Sequence, residues 1–222
     1  MTRTRFARLA AATVVAVALL PLSGCVYAQI PTDVPAAEPS ASSEPSETPS
    51  DEPSTSSETL TFAEGLDLTS SSFVQWGDGL MVDDEWKVAS PDDGNGNWSY
   101  STLDDSCTVH FWQGLLGAGI AVPGDDSATT DALIAAILGG APADVTPNAQ
   151  NGELSYQLGG SGGVDARQVI GEETGRTWIM TARGFSQVGA GLYMIADCTG
   201  TKADVEAIID QVNAKSAVIV VP

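Results

Sequence analysis

The chain has 222 residues, of which 29 are acidic and nine are basic, so its net charge at pH 7 is −20. Three of the basic residues lie in the first 24 positions, which contain no acidic residue, and the chain from Cys25 onward carries a charge of −23. Nucleic acids and anionic lipid headgroups are bound by clusters of Lys and Arg, which this composition lacks. The composition excludes a nucleic-acid-binding protein. Two interpretations of the acidic composition remain: a solvated surface, or a surface that binds cations or a basic partner.

The first 24 residues have the parts of an export signal in the expected order. Arg3, Arg5 and Arg8 form a basic start, and the run 9–22 is apolar except for Thr13. This run is too short to span a bilayer and is typical of a signal peptide. It leads into the four residues Leu22-Ser23-Gly24-Cys25. We therefore interpret residues 1–24 as a removable leader.

The four residues that end at Cys25 resemble the lipobox of bacterial lipoproteins. The resemblance implies cleavage before Cys25 and attachment of diacylglycerol to its thiol, and the alternative is a cysteine that stands there by chance. Two or more acyl chains hold a protein stably on a bilayer. The resemblance therefore predicts a protein whose membrane partner is reached through lipid on Cys25, at the extracytoplasmic face of the cell membrane.

Residues 25–59 are predicted to form a disordered stalk behind the lipidated cysteine. The segment 30–59 is dense in Pro, Ser, Thr and Glu and has too few large apolar side chains to offset the entropy of ordering. In an extended polyproline conformation, roughly 30 residues at ~3.1 Å each span up to about 90 Å. The stalk would hold a folded domain, residues 60–222, away from the membrane.

Two segments of residues 60–222 have the periodicity of helices. The first takes Ser127 or Thr130 as its N-cap and stops at Gly139-Gly140, and its predicted apolar face consists of Leu133, Ile134, Ile137 and Leu138. The second begins at Thr201, with Asp204 at the capping-box distance, and its apolar stripe consists of Val205, Ile208, Ile209 and Val212.

Most of the remaining domain is rich in β-branched and aromatic residues between turn signals. Short turns such as 171–175 favour antiparallel hairpins. We predict an α+β fold in which both helices pack on one face of an antiparallel sheet. The nine predicted strands are Phe73–Trp76, Glu85–Ala89, Trp98–Thr102, Cys107–Trp112, Leu154–Leu158, Ala166–Gly171, Arg176–Arg183, Leu192–Cys198 and Ala217–Val221.

This order of strands and helices loosely resembles the small PsbP-like α/β/α sandwich of secreted lipoproteins from high-GC Gram-positive bacteria. The likeness concerns element order alone. It agrees with the lipobox in implying an exported lipoprotein.

Cys107 and Cys198 are the only thiols that remain once Cys25 is lipidated. In an oxidising compartment an even pair is expected to bond, so we predict a Cys107–Cys198 disulfide. The alternative, a redox-active pair, lacks the Cys-x-x-Cys spacing that lowers a thiol pKa.

The loop 92–97 has the oxygen-rich composition of a calcium site. Asp93, Asn95 and Asn97 have the right spacing for three ligands, but Trp98 stands where an EF-hand needs glycine and Asp104 replaces its bidentate Glu. Asp-Gly and Asn-Gly are also strong hairpin signals, and a turn needs no metal. We predict a turn and keep these three residues as a weak metal candidate.

The pattern of candidate catalytic residues does not favour an enzyme. His110 is the only histidine, and we interpret it as structural. The one Gly-x-Ser-x-Gly match, at Ser161, lies in the glycine run 159–163, which no helical pattern follows, so it lacks the strand-to-helix turn of a hydrolase nucleophile. The acid pairs at 83–85, 104–105 and 125–126 have the positions of turns and a helix start. We predict no catalytic residue and no cofactor.

Five tryptophans are many for this domain: Trp76, Trp86, Trp98, Trp112 and Trp178. Core packing would use most of them, and an exposed aromatic platform for a glycan or peptide is the alternative. The sequence predicts a non-enzymatic binding or scaffolding module of the cell envelope, whose partner is an unidentified envelope protein or ligand. Alternatives are a domain that binds a divalent cation or a glycan and, less favoured, an envelope hydrolase.

Overall fold

The computed structural model describes residues 59–158 and 162–221. The leader, the predicted lipidation site Cys25 and the stalk up to residue 58 lie outside the described residues. Leu60 is already paired with the sheet, since its N–H donates to the carbonyl of Gly163 at 2.8 Å. No helix in the described part of the chain has the length and apolar character to cross a membrane.

One nine-stranded sheet dominates the fold, and each predicted strand overlaps one of its strands. In chain order the strands are β1 (Phe73–Asp78), β2 (Trp86–Ser90), β3 (Asn97–Thr102), β4 (Cys107–Leu115), β5 (Gln150–Tyr156), β6 (Gly162–Glu173), β7 (Arg176–Phe185), β8 (Ala190–Thr199) and β9 (Ser216–Val221). Across the sheet the order is β1-β9-β5-β6-β7-β8-β4-β3-β2. All neighbours are antiparallel except β5 and β9, which meet in parallel at a single residue pair. The predicted antiparallel sheet is confirmed.

The described residues contain four helices rather than the two that we predicted. They are α1 (Phe62–Gly65), α2 (Asp126–Leu138), α3 (Pro142–Val145) and α4 (Lys202–Lys215), and a short 3-10 helix spans Leu80–Val82. Both α1 and α3 have only four residues, too few for periodicity to reveal them. Sheet therefore outweighs helix more than the α+β prediction implied.

The two long helices pack on opposite faces of the sheet, which corrects the prediction that they share one face. The apolar stripe of α4 lies with Ile179, Ala196 and Cys198 in one core cluster. Leu133 and Ile134 of α2 lie in a second cluster, together with Met180, Ala182 and Tyr193 from the opposite face of β7 and β8. Successive side chains of a strand face opposite sides, so β7 and β8 are covered on both faces.

The start of α2 also differs from the prediction. Asp125, not Ser127 or Thr130, is the N-cap, and its carboxylate accepts a hydrogen bond from the N–H of Ala128 at 2.8 Å. The Thr130 hydroxyl instead donates to the carbonyl of Asp126 and accepts from the N–H of Gly184. Thr201 is the N-cap of α4, as predicted, and the Asp204 carboxylate accepts from both the N–H and the hydroxyl of Thr201.

The predicted Cys107–Cys198 disulfide is present. The two cysteines are direct cross-strand partners on β4 and β8, with their Cα atoms 4.1 Å apart. Both side chains are buried in the core cluster beneath α4. The bond joins residues 91 positions apart. It therefore closes a loop that contains α2 and the strands from β5 to β8.

The sheet curls enough to bring β1 against β4, although five strands stand between them in the sheet order. The indole N–H of Trp76 on β1 donates to the carbonyl of Trp112 on β4 at 3.1 Å. The backbone N–H of Trp76 donates to the side-chain oxygen of Gln113 at 2.6 Å. The Gln113 side chain thereby satisfies one backbone N–H donor on the free edge of β1.

Candidate binding groove beside the 92–97 turn

The loop 92–97 forms the hairpin turn between β2 and β3, as its composition predicted. One carboxylate oxygen of Asp93 accepts from the N–H groups of Asn95 and Asn97, and the other accepts from the Asn97 side-chain amide at 2.9 Å. These hydrogen bonds, led by the one from Asn95, lower the pKa of Asp93. The three candidate metal ligands therefore lie together, with the Asp93 oxygens directed to donors within the turn.

A glycine fastens this turn to β4. Gly96 has a φ of 80° and its carbonyl accepts from the N–H of Gln113 at 3.1 Å. A Cβ at Gly96 would collide with the carbonyl oxygen of Gln113, so only glycine permits this approach. The contact places Asp92 beside Gln113.

Two adjoining depressions share Asp92 and Gln113, and together we call them the groove. The first has a volume of about 360 Å³, and its walls include Asp78, Met81, Val88, Pro91, Trp98 and Tyr100. The second has a volume of about 400 Å³, and its walls include Phe73, Val74, Leu115 and Val188. The groove lies where the curled sheet brings β1 and the 3-10 helix towards β2, β3 and β4.

The walls of the groove expose large apolar side chains to solvent. Phe73 is 58% exposed, Met81 70%, Val88 55% and Leu115 81%. Such residues are common singly on soluble proteins, but their grouping around one concave surface is typical of an interaction site. Methionine adds a flexible, polarisable side chain that adapts to differently shaped partners.

An aromatic cluster lies beneath the first depression. The ring of Trp98 stacks on Phe111 with centroids 5.5 Å apart, and Trp76 and Tyr100 meet Phe111 edge-on at 5.2 Å and 6.2 Å. Offset-stacked and edge-to-face pairs each add about 0.5–1.5 kcal/mol beyond their buried area. The floor of the groove is therefore a packed aromatic cluster, and its rim consists of exposed apolar side chains.

The charge of the groove is negative. Its lining contains the carboxylates of Asp78 and Asp92, and no Lys or Arg contributes to the walls within the described residues. The Tyr100 hydroxyl donates to Asp78, and burial together with this bond raises the Tyr100 pKa. Asp92 accepts only from the N–H of Gly94 among described residues, so one of its oxygens is open to a ligand.

The acid pairs have structural partners rather than a shared cleft. Asp83 forms an ion pair with Lys215 at 2.6 Å, and Asp105 forms one with Lys87 at 2.8 Å. Asp104 accepts from Thr102 and Ser106, which lowers its pKa to about 2. These roles agree with the interpretation of the pairs as turn residues.

His110 lies on the other face of β4 from the groove and is half-buried. Its ring centroid is 6.1 Å from that of Tyr193, and its side chain forms no hydrogen bond with another described residue. Burial lowers its pKa, against the opposing charge of Asp93, and so favours the neutral imidazole. Within residues 59–158 and 162–221, no serine or carboxylate is a hydrogen-bond partner of His110.

A buried ion pair that the sequence analysis missed joins α2 to β7. Arg183 donates to Asp126 at 3.0 Å, and both side chains are 0% exposed. Arg183 also donates to the carbonyls of Thr61 and Asp165, and its guanidinium lies between the rings of Phe62 and Phe185. Desolvation lowers the Arg183 pKa to about 10, although the nearby carboxylate of Asp126 opposes this shift. The one sequence signal is that Arg183 is the only charged residue in the otherwise uncharged run 177–185.

Comparisons with known proteins give this chain no family. No protein-family model matches it, and no curated protein matches it. Among solved structures, it is similar to a crystal structure of a protein from Bacteroides thetaiotaomicron, with 10% sequence identity and a TM-score of 0.34. The match covers 65% of this chain and 47% of the other, so the chain spans about half the length of that protein.

Proposed function

We propose that this chain is a membrane-anchored extracytoplasmic lipoprotein whose domain is a non-enzymatic binding module of the cell envelope. The observation that carries the binding role is the groove, where exposed apolar walls meet two carboxylates and no Lys or Arg from the described residues lines the surface. Its charge and chemistry suit a segment of another envelope protein that is apolar and carries Lys or Arg. The chain's own acidic stalk is the wrong partner by charge, because like charges repel across an interface.

The alternative of a divalent-cation site at Asp93, Asn95 and Asn97 receives less support from the geometry. Both oxygens of the Asp93 carboxylate already accept hydrogen bonds within the turn. A cation would have to displace these donors and then recruit further oxygen ligands, since Ca²⁺ takes six to eight. The glycan alternative rests on a different surface, on the opposite face of β4.

Position-specific cross-linking tests the groove. A photo-cross-linking amino acid at Met81 is expected to capture one envelope protein in intact cells, because Met81 stands on the groove rim. The same amino acid at Leu103 is the matched control, since this apolar residue is 62% exposed but lies outside the groove lining. Mass spectrometry of the joined peptide should identify a partner segment with apolar and basic residues.

A charge placed on the rim should separate groove binding from general adhesion. Met81→Lys is expected to reduce recovery of the partner at least tenfold, because it removes apolar contact and repels a basic segment. Leu103→Lys adds the same charge elsewhere and should leave recovery unchanged. Equal capture from both cross-linking positions, or equal recovery with both lysine variants, would show that the groove is not the binding site.

The anchor requires a separate test. Full-length protein is expected to incorporate an alkyne-labelled fatty acid and to enter the detergent phase on phase separation, whereas Cys25→Ser should do neither. The expected cause is loss of the thiol that carries the acyl chains, whose burial holds a protein on the bilayer at about 0.8 kcal/mol per CH₂. Equal labelling of the variant would contradict lipidation at Cys25.

A further inference from the structure

A second depression, the basin, lies on the other face of β4 from the groove. It has a volume of about 420 Å³, within the usual range of small-ligand sites. Its walls include Thr108 and His110 from β4, Ile195, Asp197 and Thr199 from β8, and Arg176 from β7. A smaller hollow of about 250 Å³ shares Arg176, Ile195 and Asp197 and extends the basin to Trp178.

Most of the strong charges of the basin are paired, and Glu173 is a further carboxylate at the exposed edge of the smaller hollow. Arg176 binds Asp197 with two hydrogen bonds, and its Nε donates to one carboxylate oxygen at 2.6 Å. Asp105 on the rim is paired with Lys87. The net charge of the chain disfavours an anionic ligand. Both oxygens of Asp197 already accept from Arg176, so Asp197 has no free oxygen for a metal ion.

Uncharged polar groups also line the basin. The hydroxyls of Thr108 and Thr199 and the ring nitrogens of His110 form no hydrogen bond with any other residue that the structure describes. A hydroxyl both donates and accepts, and a neutral imidazole has one donor and one acceptor. The basin thus offers hydrogen-bond donors and acceptors side by side, which suits a ligand whose groups both donate and accept hydrogen bonds.

An aromatic and aliphatic surface completes the site. The indole of Trp178 lies directly over Gly171, its cross-strand partner on β6, where a Cβ would collide with the ring. Trp178 and Ile195 are both partly exposed and pack against the α2 cluster. Because Gly171 has no side chain, the indole lies close to the sheet and presents its outer part to the hollow.

We propose that the basin binds a neutral glycan built of pyranose rings. A pyranose has an apolar C–H face, which suits Trp178 and Ile195, and a rim of hydroxyls that are both donors and acceptors, which suits Thr108, His110 and Thr199. It carries no charge for the paired Arg176 and Asp197 to oppose. This site is independent of the groove, since it lies on the opposite face of β4.

Titration of detergent-solubilised full-length protein with cellotetraose tests the proposal, with the N-acetylglucosamine tetramer and maltotetraose in parallel. Calorimetry is expected to show saturable binding of at least one of them, with a change in tryptophan fluorescence. Thr108→Val and His110→Gln should each weaken binding about threefold to tenfold, the effect of one hydrogen bond. Trp178→Phe should weaken it by roughly tenfold because it removes part of the aromatic surface.

Met81→Lys is the matched control, since it disrupts the groove and should leave glycan binding unchanged. Thr108→Val and His110→Gln change partly exposed side chains, so the test stands even if Trp178→Phe destabilises the fold. Absence of saturable binding by all three tetrasaccharides would overturn the proposal. So would binding that both Thr108→Val and His110→Gln leave unchanged.

Discussion

Asp126→Asn is expected to lower the free energy of unfolding by about 3–5 kcal/mol, the usual cost of leaving one partner of a buried ion pair without its counter-charge. The substitution keeps an oxygen to accept from the N–H and hydroxyl of Ser186 but removes the charge opposite Arg183. For a domain of this size the change corresponds to a fall in melting temperature of roughly 10 °C. Thermal and urea unfolding, followed by circular dichroism, measure both quantities.

The double variant Arg183→Met with Asp126→Asn distinguishes a buried charge from lost packing. If the unpaired guanidinium causes the destabilisation, the double variant should be more stable than Asp126→Asn alone, because it no longer buries an uncompensated charge. Glu206→Gln, in the exposed pair with Lys202, is the control and should change stability by no more than about 0.5 kcal/mol. A cost for Asp126→Asn as small as that of Glu206→Gln would contradict the structural role of the pair.

Removal of the disulfide is expected to cost about 2–4 kcal/mol. The bond closes a loop between residues 91 positions apart, and restriction of the unfolded chain by a loop of about this length contributes up to about 4 kcal/mol, which measured values often fall below. The double variant Cys107→Ala with Cys198→Ala should unfold at a lower urea concentration than the oxidised protein. Single variants are avoided because each leaves a buried free thiol.

The reduced wild-type protein is the matched control for this variant. It retains both sulfur atoms in the core. The difference in urea midpoint between reduced and oxidised protein therefore measures the effect of the covalent bond alone, without the small cavities left by alanine. We expect reduced protein and double variant to have similar urea midpoints. Two reactive thiols per denatured mature chain, or identical midpoints for oxidised and reduced protein, would contradict a structural bond.

Local sequence pattern was sufficient to predict an element where the interactions that determine it lie within that element. The stripe on α4 is buried as its spacing predicts. The turn signals at 94–97 and 171–175 lie at hairpins between β2 and β3 and between β6 and β7, although residues 171–173 still belong to β6 and the second turn is confined to 174–175. The disulfide followed from the number of thiols. In each instance the determining interaction lies within a few residues or in the composition, where a sequence can be interpreted without knowledge of the fold.

The α2 helix shows where local pattern was not sufficient. Its buried side includes Asp126, Thr129, Thr130 and Asp131, residues that periodicity assigns to solvent. Asp126 is buried because Arg183, 57 residues later, supplies its counter-charge. Asp131 is buried because it pairs with Arg167 at 2.9 Å. Such pairs form only after distant strands meet.

The candidate sites depend on the same long-range geometry. Met81, Val88, Trp98 and Leu115 belong to different elements, and only the curl of the sheet, held by Trp76 and Gln113, gathers them around one groove. Likewise the basin unites β4, β7 and β8, whose order in the sheet does not follow the chain. The sequence by itself determined the strands, the amphipathic α4, the cysteine pair and the expectation of a lipid anchor, because these are local or compositional properties. Tertiary structure alone decided the faces on which the helices pack, the buried ion pair and both concave surfaces, because each forms only when residues far apart in the chain come into contact.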